Sequence, residues 1–179
     1  AISKLAADYH MLSCYNHNGF PANIIRPSNC YGPTQLLYRI IPKAILFALN
    51  GKKFPLEGGG KAKKSFMHAD DLANCIIKIL HSKYLGEIFN AGVDKPTTMR
   101  NIIKIISKNT SIHFDDFVKI TPPRISEDAQ YWVNSNKAHK CLKWKPKINL
   151  EDGIIDCIDW VKKYNKELTD QSNEFILRA

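Results

Sequence analysis

The segment that follows residue 26 combines residue types suited to ligand binding. A short apolar run, Pro21 to Ile25, has the β-branched character of a buried strand in an α/β sheet. It ends in a polar, aromatic and Gly/Pro-rich stretch, Ser28 to Gln35. Because ligands of open α/β sheets bind beyond the carboxyl ends of the strands, we predict that this stretch is a ligand-binding loop. Within it, the Asn29 amide can donate to a phosphate oxygen or a sugar hydroxyl, or can shape the loop as a turn residue.

Basic side chains are the residue types that can pair with an anionic ligand. Lys64 begins a predicted strand, Arg39 lies at the start of a predicted helix, and Arg124 lies outside the predicted helices and strands. A lysine meets a phosphate as a point charge, whereas an arginine offers a planar fork of donors. The alternative for Lys64 is a solvated strand lysine among its lysine neighbours. Lys4, near the start of the first predicted helix, is by itself an ordinary solvated lysine.

Metal binding and nucleophilic catalysis have little support in the sequence. His68, Asp70 and Asp71 stand at a strand–helix junction, but no second His lies within ligand spacing. We therefore predict that they cap the following helix and that there is no metal site. The other histidines have no Ser or Cys partner that suggests a catalytic triad. The five cysteines lack C-x-x-C spacing, which predicts reduced thiols of a cytoplasmic protein.

The composition indicates which classes of partner to expect. The chain of 179 residues is 44% hydrophobic, enough for one core, and carries a formal net charge of +9. Its lysines are scattered in short groups rather than in a stripe with stacking aromatics, so we predict no nucleic-acid partner. No apolar stretch approaches the length of a membrane span, so we predict no membrane partner.

The coarse pattern alternates helices and strands. We predict an α/β fold with one main unit, residues 1–168, and a tail, residues 169–179. The predicted strands are Ala22–Arg26, Lys53–Glu57, Lys64–His68 and Ile88–Ala91. The predicted helices are Ser3–His17, Tyr38–Asn50, Asp70–His81, Thr98–Lys108, Asn136–Leu142 and Asn149–Leu168. The three glycines Gly58–Gly60 follow a short strand and precede no helix, which predicts a hairpin turn.

Five motifs occur in the order that they have in one known family. They are Arg26 to Gln35 with Arg39 to Pro42, Gly58 to Ala73, Gly86 to Gly92, Asn136 to Pro146, and Leu150 to Ile154. By these motifs the chain resembles the extended short-chain dehydrogenase/reductase family, and within it the nucleotide-sugar 4,6-dehydratases and their epimerase relatives. The resemblance implies the C-terminal part of a Rossmann-type enzyme, interleaved with a small substrate-binding region.

The resemblance also assigns roles to individual residues. Lys4 matches the catalytic lysine that favours the phenolate of a nearby Tyr and holds the nicotinamide ribose. Ser28 and Cys30 would flank the nicotinamide carboxamide of NAD, with NADP possible. Contacts to a nucleotide-diphosphate sugar would come from Asn29, Arg39, Ile40, Ile41, Pro42, Pro55, Leu56, Glu57, Lys64 and Arg124.

Two features of the family do not occur in this sequence. One is the Gly-rich strand–turn–helix unit that binds the cofactor. The other is the catalytic Tyr of a Tyr-x-x-x-Lys motif, whose last four places fit Ala1 to Lys4. We therefore expect a Tyr directly before Ala1, and a longer enzyme of which this chain alone is inactive. The chain also departs from the family at Lys64, usually an Arg, at Cys30, often an Asn, and at Ile125 to Glu127.

The implied activity is dehydration of a nucleotide-diphosphate hexose through transient oxidation at its C4. The alternatives are a 4-epimerase of the same family and a non-catalytic fragment that binds a nucleotide sugar or forms dimers. Relatives pair through the helix that matches Ser3–His17, so a homodimer is expected.

Overall fold

Helices and strands alternate along most of the chain, as predicted. The computed structural model describes residues 2–125 and 127–174. The helices are α1 Ile2–Asn18, α2 Ile40–Leu49, α3 Ala69–Leu80, α4 Met99–Asn109, α5 Phe114–Phe117, α6 Asn136–Leu142, α7 Leu150–Lys163 and α8 Asn165–Thr169. The strands are β1 Ile24–Pro27, β2 Asn29–Tyr31, β3 Phe54–Glu57, β4 Lys63–Lys64, β5 Phe66–His68, β6 Ile88–Ala91, β7 Thr97–Thr98, β8 Val118–Thr121 and β9 Gln130–Tyr131. The α/β class is confirmed.

The strands pair mostly in parallel. β1 pairs with β6, β2 with β5, and β3 with β8, each pair in parallel. β4 lies between β7, to which it is antiparallel, and β9, to which it is parallel. Parallel pairs require crossover connections, and α2, α3 and α4 lie in those crossovers.

The stretch Ser28–Gln35 is only partly a loop. The Ser28 N–H donates to the Ala91 carbonyl at 2.8 Å, which completes the pairing of β1 with β6. One residue later the chain changes partner, and Asn29 pairs with Phe66 of β5. After Ser28, the predicted loop therefore contains three residues of strand, β2, which position the Asn29 backbone.

The prediction of a hairpin at the three glycines is wrong. β3 and β4, on either side of them, pair with different strands rather than with each other. Gly58, Gly59 and Gly60 have φ of 55°, 66° and 70° and form a short 3-10 turn between two sheets. Gly60 must lack a side chain, because a Cβ there would lie 2.6 Å from the Arg100 backbone nitrogen.

Other predicted boundaries also changed. The single strand predicted over Lys64–His68 is divided at Ser65 between two sheets, β4 and β5. The last helix was predicted to run to Leu168, but it ends at Lys163 and a second short helix follows. The predicted caps Thr98 and Asn149 are confirmed, since each side chain accepts a backbone N–H three residues on at 3.0 Å.

Buried apolar side chains form two clusters divided by the β2–β5 sheet. Successive residues of a strand point to opposite faces. Tyr31 and Phe66 accordingly pack in the first cluster, with α2, α4 and α7. Cys30 and Met67 pack in the second, with α3, β6 and the segment around Trp144. The length of the chain predicted one core, whereas the structure has two apolar layers, one on each face of the β2–β5 sheet.

Helix α1 differs from the other long helices because none of its residues, all of which are described, is buried. Gly19 ends it as predicted, with a φ of 64° and an N–H that donates to the Tyr15 carbonyl at 3.0 Å. Within residues 2–125 and 127–174, none of the helices combines the length and the apolar character needed to cross a bilayer. Residues 175–179 of the predicted tail lie outside the described residues.

Candidate functional site

A cleft of about 990 Å³ brings together most of the predicted site residues. Its walls come from the end of β1, from β2, from the start of α2, from β3 and β4, and from the segment between β8 and β9. Ten predicted residues line it: Ser28, Asn29, Cys30, Arg39, Ile40, Pro55, Leu56, Glu57, Lys64 and Arg124.

The floor of the cleft contains a buried amide that lacks a hydrogen-bond acceptor. The Nδ2 atom of Asn29 is inaccessible to solvent and has no partner among the described residues. The Ser28 hydroxyl is in the same situation. A buried donor without an acceptor costs about 1–3 kcal/mol, so such groups are normally paired. These two groups are suited to a ligand that brings acceptors.

Cys30 also lies on the floor. Its Sγ donates to the Ser28 carbonyl at 3.5 Å, and burial raises the pKa of the Cys30 thiol. The thiol therefore stays neutral near pH 7. Because its one hydrogen is already donated to the Ser28 carbonyl, the thiol gives the cleft shape but neither a free donor nor a charge.

The amino end of α2 presents two cations to the cleft. Arg39 is the residue before the helix, and Lys43 follows one turn later, so both lie on one helix face. The Arg39 guanidinium lies 5.1 Å from the centre of the Tyr38 ring, and the Lys43 ammonium 5.7 Å from that of Phe47. Neither cation forms a salt bridge within the described part of the chain. The N–H groups of Ile40 and Ile41 add to their attraction for an anion, whereas Pro42, the third residue of the helix, has no N–H.

Two further cations of the cleft are already paired with carboxylates. Lys64 Nζ lies 2.9 Å from Glu127 Oε1, and Arg124 Nη2 lies 2.8 Å from Glu57 Oε2. Four basic side chains (Arg39, Lys43, Lys64, Arg124) therefore line the cleft against two acidic ones (Glu57, Glu127). The cleft has a positive balance of two charges (4 − 2 = 2), which favours anionic ligands.

Two residues that line the cleft, Lys43 and Glu127, were not predicted from the sequence. The i, i+4 spacing from Arg39 would have placed Lys43 on the same helix face. Glu127 had no such signal, because its contact with Lys64 joins residues 63 positions apart.

Three predicted site residues lie elsewhere. Ile41 and Pro42 are buried in α2, and Ile41 packs in the first apolar cluster with 1% of its surface exposed. Lys4 is exposed on α1 and is not among the residues that line the cleft.

His68 and Asp71 have structural roles. The buried His68 precedes α3 and its Nδ1 accepts the Asp70 N–H at 3.3 Å, which confirms the predicted cap. The Asp71 carboxylate, also predicted to cap α3, instead accepts the N–H groups of Lys147 and Ile148 at 2.9 and 3.0 Å. Among the described residues, no group of three or more His, Cys, Asp or Glu is arranged to hold a metal ion.

Comparison with known sequences identifies relatives of this chain. The sequence profile of the family described as GDP-mannose 4,6 dehydratase matches residues 1–157. The dTDP-D-glucose 4,6-dehydratase of Mus musculus is 31% identical over 168 residues, covering 91% of this chain and 47% of that protein. The dTDP-glucose 4,6-dehydratase of Neisseria gonorrhoeae is 27% identical, covering 88% and 49%. The chain thus spans about half the length of these curated relatives.

Solved structures show the same fold. The dTDP-glucose 4,6-dehydratase of Bacillus anthracis, in complex with NAD, superposes with a TM-score of 0.83 at 30% identity, covering 90% of this chain and 51% of that one. An epimerase of Methanothermobacter thermautotrophicus gives a TM-score of 0.87 at 20% identity, which speaks for the fold alone. The chain therefore belongs to the GDP-mannose 4,6-dehydratase family, within the extended short-chain dehydrogenases/reductases that comprise nucleotide-sugar dehydratases and epimerases.

Proposed function

We propose that this chain supplies the substrate-binding cleft of an NAD-dependent nucleotide-sugar 4,6-dehydratase. The main support for the proposal is that one cleft contains both the Asn29 amide, which has no hydrogen-bond acceptor, and two cations at a helix start, Arg39 and Lys43. Relatives and neighbours near 30% identity bear the name dTDP-glucose 4,6-dehydratase, which favours a dehydratase over an epimerase.

The substrate in this proposal is a nucleoside diphosphate linked to a hexose. Arg39, Lys43 and the N–H groups of Ile40 and Ile41 bind the diphosphate. The Asn29 amide donates to a phosphate oxygen or a sugar hydroxyl, which removes the cost of its buried, unpaired hydrogen. Pro55 and Leu56 line the side of the cleft where an apolar face can pack against the base. Ile40 lines the cleft, whereas Ile41 and Pro42 hold the helix start in place from the core.

The cofactor in this proposal is NAD, with NADP as the alternative. Bound NAD would supply the removal and return of a hydride at the sugar C4. Ser28 and Cys30 would flank the nicotinamide of NAD. The Ser28 hydroxyl is buried without a partner at the carboxyl end of β1, so it can bond to a bound cofactor. The Lys4 ammonium would favour the phenolate of a tyrosine and hold the ribose hydroxyls. Its exposed position on α1 leaves it accessible to such partners.

The exposed α1 helix is also the proposed homodimer surface. Leu5 and Tyr9 lie one turn apart on it and are 48% and 65% exposed. Pairing two such faces would bury apolar area. Sedimentation of the chain should show a dimer that Leu5→Lys dissociates, and a monomer at all concentrations would contradict this proposal.

We further propose a cytoplasmic location, supported by five free cysteines. Microscopy of the tagged protein in its cell would test this location. A secreted or membrane-bound signal would contradict it.

Calorimetric titration of dTDP, UDP and GDP into the chain tests the binding function. We expect at least one nucleotide to bind, and Lys43→Met to weaken that binding by roughly tenfold, as for the loss of a hydrogen bond to a charged group. Lys163→Met is the matched control, because Lys163 is also a helix lysine over an aromatic ring, 5.2 Å from the centre of Tyr164, and does not line the cleft. Failure of all three nucleotides to bind would contradict the proposal.

In the protein that carries this chain, turnover distinguishes the two chemistries. A dehydratase product lacks one water relative to its substrate, whereas an epimerase product keeps the same mass. Mass spectrometry of the products formed from dTDP-glucose and UDP-glucose therefore tests the dehydratase proposal directly.

A further inference from the structure

The salt bridge between Lys64 and Glu127 is the most enclosed of the Lys or Arg ion pairs in the described residues. Their side chains are 25% and 21% exposed. In the other cleft pair, Arg124 and Glu57 are 66% and 41% exposed. A pair outside the cleft, Lys137 with Glu87, is 44% and 43% exposed. Because partial burial lowers the screening by water, the charge of Glu127 acts more strongly on its surroundings than that of an exposed carboxylate.

Glu127 has two effects on an anion that enters the cleft. It neutralises Lys64 and occupies one of the three donors of that ammonium, so a phosphate gains less attraction there. It also repels any phosphate placed near Lys64, because like charges brought together in a partly desolvated site oppose binding. Both effects grow with the negative charge of the ligand.

Ligands of the proposed function differ in that charge. In a free nucleoside diphosphate the terminal phosphate ionises with a second pKa near 6, so at pH 7 it carries additional negative charge. In a sugar-linked diphosphate the terminal phosphate is esterified and lacks this second ionisation. A carboxylate at the phosphate-binding cation therefore penalises the free nucleotide more than the sugar-linked one.

We propose that Glu127 is a specificity-determining residue that selects sugar-linked nucleoside diphosphates against free nucleoside diphosphates. The inference rests on the proposed binding function of the cleft. It assigns to Glu127 a repulsive element, while Arg39 and Lys43 supply the attraction common to both ligands. A purely structural role would make Glu127 only a tie between β4 and the segment before β9.

The test compares Glu127→Gln with the wild-type chain by calorimetry. The probes are dTDP with dTDP-glucose, and UDP with UDP-glucose. Glutamine keeps a hydrogen-bond acceptor for Lys64 but removes the charge. We expect the affinity for the free nucleotide to rise about fivefold to tenfold and that for the sugar-linked nucleotide to rise less, so that selectivity falls by roughly threefold. Glu87→Gln, which removes a similarly paired carboxylate outside the cleft, should change neither affinity.

The outcomes separate the inference from the proposed function. If the wild-type chain binds none of the four probes, the proposed function fails. If it binds them and Glu127→Gln leaves the selectivity unchanged or raises it, the inference is overturned while the function stands.

A second measurement uses the wild-type chain and does not depend on the folding of the variant. The carboxylate carbon of Glu127 can be followed by NMR as dTDP or UDP is added, with that of Glu87 as the control. A phosphate placed beside the Lys64–Glu127 pair should shift the Glu127 signal and leave the Glu87 signal unchanged. A Glu127 signal that stays constant at saturation would also overturn the inference.

Discussion

Helices α1 and α2 both carry residues of the proposed enzyme, but the protein holds them in different ways. In α2, six of ten residues are buried, among them Ile45, which is completely inaccessible. In the 17 residues of α1 none is buried. Helix α1 is attached through the Asp8–Arg26 salt bridge at 2.6 Å and through the Tyr15 ring, which packs directly over Gly86. Packing of an apolar face supplies most helix stability in proteins, so α2 is fixed from within and α1 is not.

This difference separates two parts of the proposed site. The cations Arg39 and Lys43 are positioned by a helix anchored in the first apolar cluster. Lys4 is positioned by a helix whose apolar face is open. The described walls of the cleft come from elements other than α1, and Lys4 does not line them. Binding and catalysis should accordingly be separable by experiment.

The largest expected effect comes from truncating one side chain in each helix. Ile45→Ala should lower the free energy of unfolding by about 2–5 kcal/mol, because it leaves a cavity in the core. Leu5→Ala, on an exposed face of α1, should change it by no more than about 0.5 kcal/mol in the monomeric chain. Urea denaturation measures both. Equal costs would show that α1 is anchored as firmly as α2.

A smaller effect is expected at the turn between β3 and β4, on the well-packed side of the molecule. Gly59 and Gly60 both have positive φ, which costs about 1 kcal/mol or more for a residue with a Cβ. At Gly60 the new Cβ would also collide with the Arg100 backbone, whereas at Gly59 it meets nothing within 4 Å. Gly60→Ala should therefore lower the melting temperature clearly more than Gly59→Ala. The reverse order would contradict the packing described for this turn.

The smallest expected effect concerns thiols. Burial raises the pKa of the Cys75 thiol to about 11 and that of Cys157 to about 12, from an ordinary value of 9.0. Both should resist alkylation in the folded chain near pH 8.5, because the thiolate is the reactive form. Cys14 on α1 is only partly buried and should react. Peptide mass spectrometry before and after unfolding checks the order, and early labelling of Cys157 would contradict it.

The same thiols make stability depend on pH in a defined direction. Above pH 9 the thiols of the unfolded chain lose their protons, while those of the folded chain keep them up to about pH 11 and 12. The folded state then binds more protons than the unfolded state. Its stability should therefore decrease as pH rises through this window.

The sequence predicted local features well and long-range pairings poorly. Caps such as Thr98 and Asn149 depend on neighbours three residues away, so their side-chain types suffice to predict them. The glycine turn was read as a hairpin because only its local composition was visible, whereas the partners of β3 and β4 lie far along the chain. Strands β7, β8 and β9 were not predicted. Two of them, β7 and β9, have only two residues, which is too short for an alternating pattern to be recognised.

The candidate site likewise contains residues that a local sequence signal predicts and residues that lack such a signal. Asn29 was found from its position after an apolar strand, which is a local signal. Glu127 was not predicted, because its place in the cleft follows from a contact between distant segments. Lys4 was assigned by resemblance alone, and it lies on the exposed helix α1 away from the residues that line the cleft.

The central claim is that the cleft beside α2 binds a nucleoside diphosphate without help from α1. The most direct measurement is an NMR titration of the isotope-labelled chain with dTDP and UDP, with backbone and side-chain amides followed together. We expect shifts to concentrate at the Asn29 side-chain amide, at Arg39 to Lys43 and at Lys64, while the amides of Ile2–Asn18 stay unchanged. Shifts confined to α1, or none at saturating nucleotide, would contradict it.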